Sequence, residues 1–133
     1  MDSGITPIIS PRSVAVVGAT DRPGSVGRAL FDNILRNGYR GIVYPVNPRV
    51  KSVSGVRTYT SLDEIPDDVD MAVIIVPAPL VCSVVDDAAR KAVRGITVIT
   101  AGFKEVGEKG AELEKELTAR VRAHGIRMIG PNC

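Results

Sequence analysis

The feature that most constrains this chain is the alternation of short, unbroken apolar runs with longer amphipathic stretches. Ser13–Gly18 (SVAVVG), Ile42–Val46, Met71–Val76 (MAVIIV), Ile96–Thr100 and Ile126–Ile129 are the apolar runs. Each is short and nearly uniformly apolar, as expected of parallel strands buried on both faces. Pro45 argues against the second strand, because proline cannot donate to a sheet ladder. Between the runs, Val26, Leu30 and Ile34, with their neighbours Phe31 and Leu35, repeat at helical spacing, and Gly38 is placed to stop that helix. Pro79 opens a second helix whose inward stripe is Val81, Val84, Val85, Ala88 and Ala92. A third helix runs from about Glu108 to His124, with Leu113, Leu117 and Val121 on one face and a supporting Glu116–Arg120 pair. Ser61-Leu62-Asp63-Glu64 has capping-box spacing and predicts one short helical turn before Pro66. The order predicts an α/β, Rossmann-like three-layer α/β/α domain with a parallel, doubly wound sheet of about five strands.

Composition supports a single domain of 133 residues, with 44% hydrophobic and 24% charged residues. Aromatic residues make up only 4%, without Trp, so the core must come from Val, Ile, Leu and Ala. A net charge of +2 without interleaved aromatics predicts no nucleic-acid partner. The apolar runs are too short to span a bilayer, and Met1–Thr6 does not resemble a secretory signal, so neither membrane attachment nor export is expected. Cys82 and Cys133 are too far apart for a zinc motif or a disulfide framework, which fits a cytoplasmic protein with no metal in this domain. Cys82 reads as simple packing within a helix. The ending Gly130-Pro131-Asn132-Cys133 predicts a domain that continues into a longer protein.

Parallel sheets of this kind bind ligands beyond the carboxyl ends of their strands. Here those ends carry Gly18–Gly27, Asn47–Lys51, Pro77–Pro79, Ala101–Phe103 and Gly130–Cys133, each containing Gly or Pro. Gly24-Ser25-Val26-Gly27 lies where the first helix begins, so its exposed N–H groups and the positive helix end suit a pyrophosphate. Ser25 is placed either to cap the helix or to donate to a phosphate; a tight turn without a ligand is the plainer alternative. The glycine spacing departs from the dinucleotide fingerprint, and Asn47 stands where an acidic residue would hold ribose hydroxyls. Both departures count against NAD. Arg49 and Lys51 are placed to pair with an extra ribose phosphate, and charge alone does not separate coenzyme A from NADP.

Two features are decoys. Gly102–Lys109 superficially resembles a triphosphate-binding loop, but Glu108 occupies the required Lys position. His124, the only histidine, ends a charged helix and reads as a surface residue at a negative helix terminus. Ser25 and Ser83 lack a plausible base, so no catalytic residue is expected in this chain.

Taken in order at the strand ends, SVAVVGAT with GSVG, VYPVNP with Lys51, IIVPAP, ITAGF and RMIGPNC resemble the coenzyme A-binding domain of NDP-forming acyl-CoA synthetases and of the succinyl-CoA synthetase alpha subunit. The resemblance extends from Ser13 to Cys133. It implies that Thr20 and Gly24, Ser25, Val26 and Gly27 contact the nucleotide phosphates. Asn47, Pro48 and Lys51 would lie against the adenosine end, with Lys51 on the 3′-phosphate. Val76, Pro77 and Ala78 would form one wall, and Ile99, Thr100, Ala101 and Gly102 the other, toward the pantetheine arm. Asn132 would lie near the passage to the next domain. In the family, acyl transfer runs through acyl phosphate and a phosphorylated histidine, which lies in a following domain; His124 does not match it. Thr100-Ala101-Gly102-Phe103 replaces the Thr-Glu-Gly of the succinyl type and is more similar to the ADP-forming acetyl- and acyl-CoA synthetases.

The resemblance therefore implies a domain that binds coenzyme A or acyl-CoA and works with the remaining ligase domains or subunits. The alternatives are an NAD(P)-binding domain of an oxidoreductase and a regulatory module that senses acyl-CoA.

Overall fold

A computed structural model describes residues 10–131. Five strands form one parallel sheet: β1 (Ser13–Val17), β2 (Ile42–Val46), β5 (Met71–Ile74), β6 (Gly95–Val98) and β7 (Arg127–Ile129). Their order is β2-β1-β5-β6-β7. β3 (Ser52–Val53) and β4 (Val56–Arg57) form a separate antiparallel hairpin. Helix α1 (Val26–Arg36) joins β1 to β2, α2 (Ala78–Arg90) joins β5 to β6, and α3 (Glu108–His124) joins β6 to β7. From β1 the chain winds outward to β2; from β5 it winds the other way. The reversal leaves a crevice beyond the ends of β1 and β5, the switch point of an open doubly wound sheet.

Alternation along β1 creates the three layers. Ala15 and Val17 pack into a core completed by α2 and α3, including Val81, Val85, Ala88, Leu117 and Val121. Val14 and Val16 face the opposite side, against Phe31 of α1 and Val53 of the hairpin. All five β1 residues are buried, Val14–Val17 as their apolar character requires and Ser13 with its hydroxyl donating to Asp68 O at 3.0 Å.

Pro45 fits because β2 is an edge strand. Its carbonyl accepts from Tyr59 N at 2.9 Å on the outer side, away from β1. N–H and C=O of one strand residue point the same way, so the missing N–H belongs to the outer edge and costs the β1 ladder nothing. Asn47 N then donates to Tyr59 O, also at 2.9 Å, holding the chain after the hairpin alongside β2.

Several local expectations need correction. Val26 and Leu35 are exposed; the inward face of α1 is instead built on Gly27 and Phe31, with Leu30 and Ile34 half-buried. Ala92 is also exposed, because α2 ends at Arg90 and Ala92 adopts a left-handed φ of 62°. Val93 fills the core in its place. The short turn at Leu62–Glu64 forms, but the Ser61 side chain does not cap it; the backbone N–H and hydroxyl of Thr60 donate to Glu64. The β3–β4 hairpin was not anticipated, since two-residue strands have no readable period.

Asp70 secures the amino ends of β1 and β5, accepting from the backbone N of Arg12 at 2.8 Å and from its Nε at 3.2 Å. Burial pushes the Asp70 carboxyl up, but the Arg12 hydrogen bonds and the charges of Arg12 and Arg94 outweigh it and hold the group below its usual range. A lowered folded value gives stability that is present above the unfolded pKa of about 3.9 and lost as pH falls through the folded value. Asp70→Asn should therefore cost about 0.5–1 kcal/mol at pH 7. Denaturant titrations should show that difference shrinking below about pH 3.9; a deficit independent of pH would contradict this assignment.

Candidate functional site

A cleft of about 580 Å³ opens at the switch point. Val17, Gly18, Thr20 and Arg22 contribute from the end of β1, and Val46, Asn47, Pro48, Arg49 and Val50 from the end of β2. Thr60, Ser61 and Leu62 supply a third side. Ile75, Val76, Pro77, Leu80, Ser83, Val84 and Asp87 supply the last, from the end of β5 onto α2, where Leu80 and Ser83 are exposed and Val84 and Asp87 half-buried.

Close backbone packing fixes the floor of this cleft. Gly18 has a φ of 104°, and a Cβ there would lie 2.2 Å from Ile75 O. A Cβ on Gly27 would lie 2.4 Å from Gly18 O. Larger residues at either position would push α1 or β5 away from the end of β1. Gly24 has a φ of 76° but open space where a side chain would stand, so it serves the turn and not the packing.

Ser25 caps α1: its hydroxyl accepts from Arg28 N at 3.2 Å and donates to Arg22 O at 2.7 Å. That hydroxyl proton is committed within the loop. The next two N–H groups, of Val26 and Gly27, meet no acceptor among the described residues, as expected for the first turn of a helix. Thr20 Oγ1 accepts from Arg22 N at 3.2 Å and closes the preceding turn.

Asn47 links the two principal loops. Its Nδ2 donates to Ala19 O at 2.9 Å, while its Oδ1 accepts from Arg49 N at 2.8 Å. An ionised carboxylate could accept but not donate, which explains why an amide occupies this position. The hairpin is held at its tip, where Ser54 N donates to Asp21 Oδ1 at 2.9 Å and Ser54 Oγ to Asp32 Oδ1 at 2.5 Å.

Thr20, Asn47, Pro48, Arg49, Val76 and Pro77 thus line the cleft, whereas the other sequence-predicted positions do not. Gly24, Ser25, Val26 and Gly27 form the adjoining helix entrance. Lys51 is exposed beyond Arg49 at the root of the hairpin. Ala78 is buried under the first turn of α2. Thr100 is buried with its hydroxyl donating to Val76 O at 2.6 Å, so it binds β6 to β5. Ile99 and Ala101 are exposed at the β6 end, and Gly102 N and Phe103 N both donate to Glu105 Oε1, at 2.5 and 2.8 Å. Asn132 lies outside the described residues. The α2 wall escaped sequence reasoning; its only signal was Leu80, apolar yet off the inward stripe.

Polar groups are distributed unequally in the cleft. Arg22 and Arg49 stand on the loops near the α1 entrance, while Asp87 stands on α2. His124 is elsewhere, its Nε2 3.1 Å from Asp86 Oδ1 between α3 and α2. No group of three or more metal-ligating side chains stands together among the described residues.

A model of the CoA binding domain matches residues 12–133. The chain belongs to the CoA-binding domain family. It is 46% identical over 123 residues to "Acetate–CoA ligase [ADP-forming] I" of Archaeoglobus fulgidus, covering 92% of this chain and 18% of that protein. It is 41% identical over 129 residues to the alpha subunit of "Acetate–CoA ligase [ADP-forming] I" of Pyrococcus furiosus, covering 94% of this chain and 28% of the subunit. The apo form of dinucleotide-forming acetyl-coenzyme A synthetase 1 from Ca. Korarchaeum cryptofilum superposes with a TM-score of 0.90 at 41% identity, covering 96% of this chain and 28% of that one. This CoA-binding domain is therefore homologous to part of the ADP-forming acyl-CoA synthetases, and it spans less than a third of the length of these relatives.

The Asn47 bridge yields a direct test. Asn47→Asp should lower unfolding stability by about 1–3 kcal/mol at pH 7, because the carboxylate would face Ala19 O without a proton. Protonating the new carboxyl should recover part of the loss. Equal denaturation midpoints for both proteins at pH 7 would remove the bridge from the account.

Proposed function

We propose that this domain holds coenzyme A, or acyl-CoA, in the switch-point cleft as the CoA-binding part of an ADP-forming acyl-CoA ligase. The observation carrying this reading is the cleft itself, lined by Arg22 and Arg49 and adjoined by the first turn of α1 where Gly27 packs on Gly18 and Thr20, in a chain of the CoA-binding domain family. The pyrophosphate lies against Val26 and Gly27 N–H, where the helix dipole favours negative charge. Gly24 keeps that approach open, and Thr20 and Ser25 hold the loop. Arg49 and Lys51 meet the 3′-phosphate, and Asn47 and Pro48 flank the ribose. The pantetheine arm leaves past Val76 and Pro77 toward Ile99–Gly102, with Ala78 and Thr100 acting as buried supports.

The chemistry belongs to the remainder of the ligase. The family's route through acyl phosphate and a phosphorylated histidine requires a histidine beside the CoA thiol, and His124 is engaged with Asp86 between α2 and α3. This domain therefore binds and orients the CoA chain, while partner domains or subunits carry acyl and phosphoryl transfer. No helix among the described residues is long and apolar enough to cross a membrane. The buried free thiol of Cys82 agrees with a reducing cytoplasmic setting.

Arg49→Ala and Lys51→Ala should each weaken coenzyme A by about five- to tenfold, the effect of losing one partly exposed charge-assisted hydrogen bond. Dephospho-coenzyme A should be nearly unaffected. Calorimetric titration of both ligands makes the comparison, and equal losses for the two would remove the 3′-phosphate from this end of the cleft.

A further inference from the structure

Asparagine followed by glycine is chemically labile, because the side-chain amide carbon lies within reach of the next backbone nitrogen and glycine puts no side chain in its way. The chain has four asparagines, Asn33, Asn37, Asn47 and Asn132, and only Asn37 precedes a glycine. Asn33 is followed by β-branched Ile34 inside α1, where the next N–H belongs to the helix ladder. Asn47 is followed by Pro48, which has no N–H, and both ends of its amide are bonded, to Ala19 O and to Arg49 N.

The fold leaves Asn37 open to attack. It is the C-cap of α1, with φ −95° and ψ 27°, and it is exposed. Its side-chain amide meets no partner among the described residues, and neither does the N–H of Gly38. Gly38 has a φ of 77°, and a Cβ there would find nothing within 4 Å, so no neighbour shields the bond. Arg36 and Arg40, both exposed, flank the pair and favour the deprotonated peptide nitrogen. The chain that follows is packed more tightly. Tyr39 Oη donates to Pro11 O at 2.8 Å, and a Cβ on Gly41 would lie 2.1 Å from that hydroxyl oxygen.

We propose that Asn37-Gly38 is a self-modification site, at which spontaneous deamidation loosens the junction between α1 and β2. The deprotonated Gly38 nitrogen attacks the side-chain carbonyl carbon of Asn37. The bond to the amide nitrogen breaks, that nitrogen takes up a proton and leaves as ammonia, and a succinimide ring closes. Water then opens the ring at either carbonyl, giving aspartate or isoaspartate without any oxidant or reductant. Either product sets a carboxylate at the negative end of α1. Isoaspartate also routes the main chain through Cβ, which adds one backbone atom just ahead of Tyr39 and displaces its hydroxyl from Pro11 O.

The test ages the full chain under native conditions at mildly alkaline pH and maps it by tryptic digestion with fragment masses. Asn33, Asn37, Asn47 and Asn132 fall on separate tryptic peptides. The wild-type chain should gain one mass unit at Asn37 before any other asparagine, faster as pH rises, with isoaspartate in the product. Gly38→Ala places a methyl group beside the bond and should delay that gain. Aged wild type should unfold at a lower denaturant midpoint than fresh protein, whereas Asn37→Ser aged in parallel should keep its midpoint. Asn37 intact at the end of ageing, or converted as fast in Gly38→Ala, would overturn the inference. So would a deamidated chain that keeps the fresh midpoint, or an equal loss in Asn37→Ser. None of these readouts depends on coenzyme A.

Discussion

The backbone contact between Gly18 and Gly27 governs the geometry of this domain. A Cβ on Gly27 would lie 2.4 Å from Gly18 O, and one on Gly18 would lie 2.2 Å from Ile75 O, so three segments meet where side chains cannot fit. This meeting brings the start of α1 directly onto the end of β1 and places β5 alongside. The capped but unfilled first turn of α1, the entrance to the cleft and the switch between winding directions all follow from it. Asn47 extends the same junction to β2 through its two-sided amide, and the loop bearing Arg49 is thereby set beside the cleft.

Much of this architecture was legible in the residues. The five strands announced themselves as apolar runs, although Arg127 and Ile129 of the edge strand β7 and Ile42 of the edge strand β2 are exposed, and the third helix was bounded correctly at Glu108 and His124 by its periodicity and the following Gly125. Pro45 was a misleading signal, because an edge strand tolerates a missing outward N–H and a sequence does not say which strand is at the edge. Ala92 continued the helical period by coincidence after the helix had ended. The hairpin at Ser52–Arg57 was invisible because its strands are stabilised by contacts with Asp21, Asp32 and the α1 side of the core.

The candidate site divides along similar lines. Its glycine loop and the Asn47–Arg49 loop stood out because strand ends followed by breakers are unusual locally. Its α2 wall did not, since Leu80, Ser83, Val84 and Asp87 look individually like ordinary residues of an amphipathic helix. Only the three-dimensional approach of the β2 loop turns that helix face into a wall. Thr100 shows the reverse: a prominent residue at a strand end whose hydroxyl is committed to holding β6 against β5.

The chain belongs to the CoA-binding domain family and spans less than a third of the length of its ligase relatives. The amide of Asn47, which leaves no acidic group for a ribose, and membership of the CoA-binding domain family together favour coenzyme A over a nicotinamide dinucleotide. Calorimetric titration of the chain with coenzyme A beside NADP and NAD measures that preference directly. The account predicts saturable binding of coenzyme A with little heat from either dinucleotide; tighter binding of NADP would contradict it.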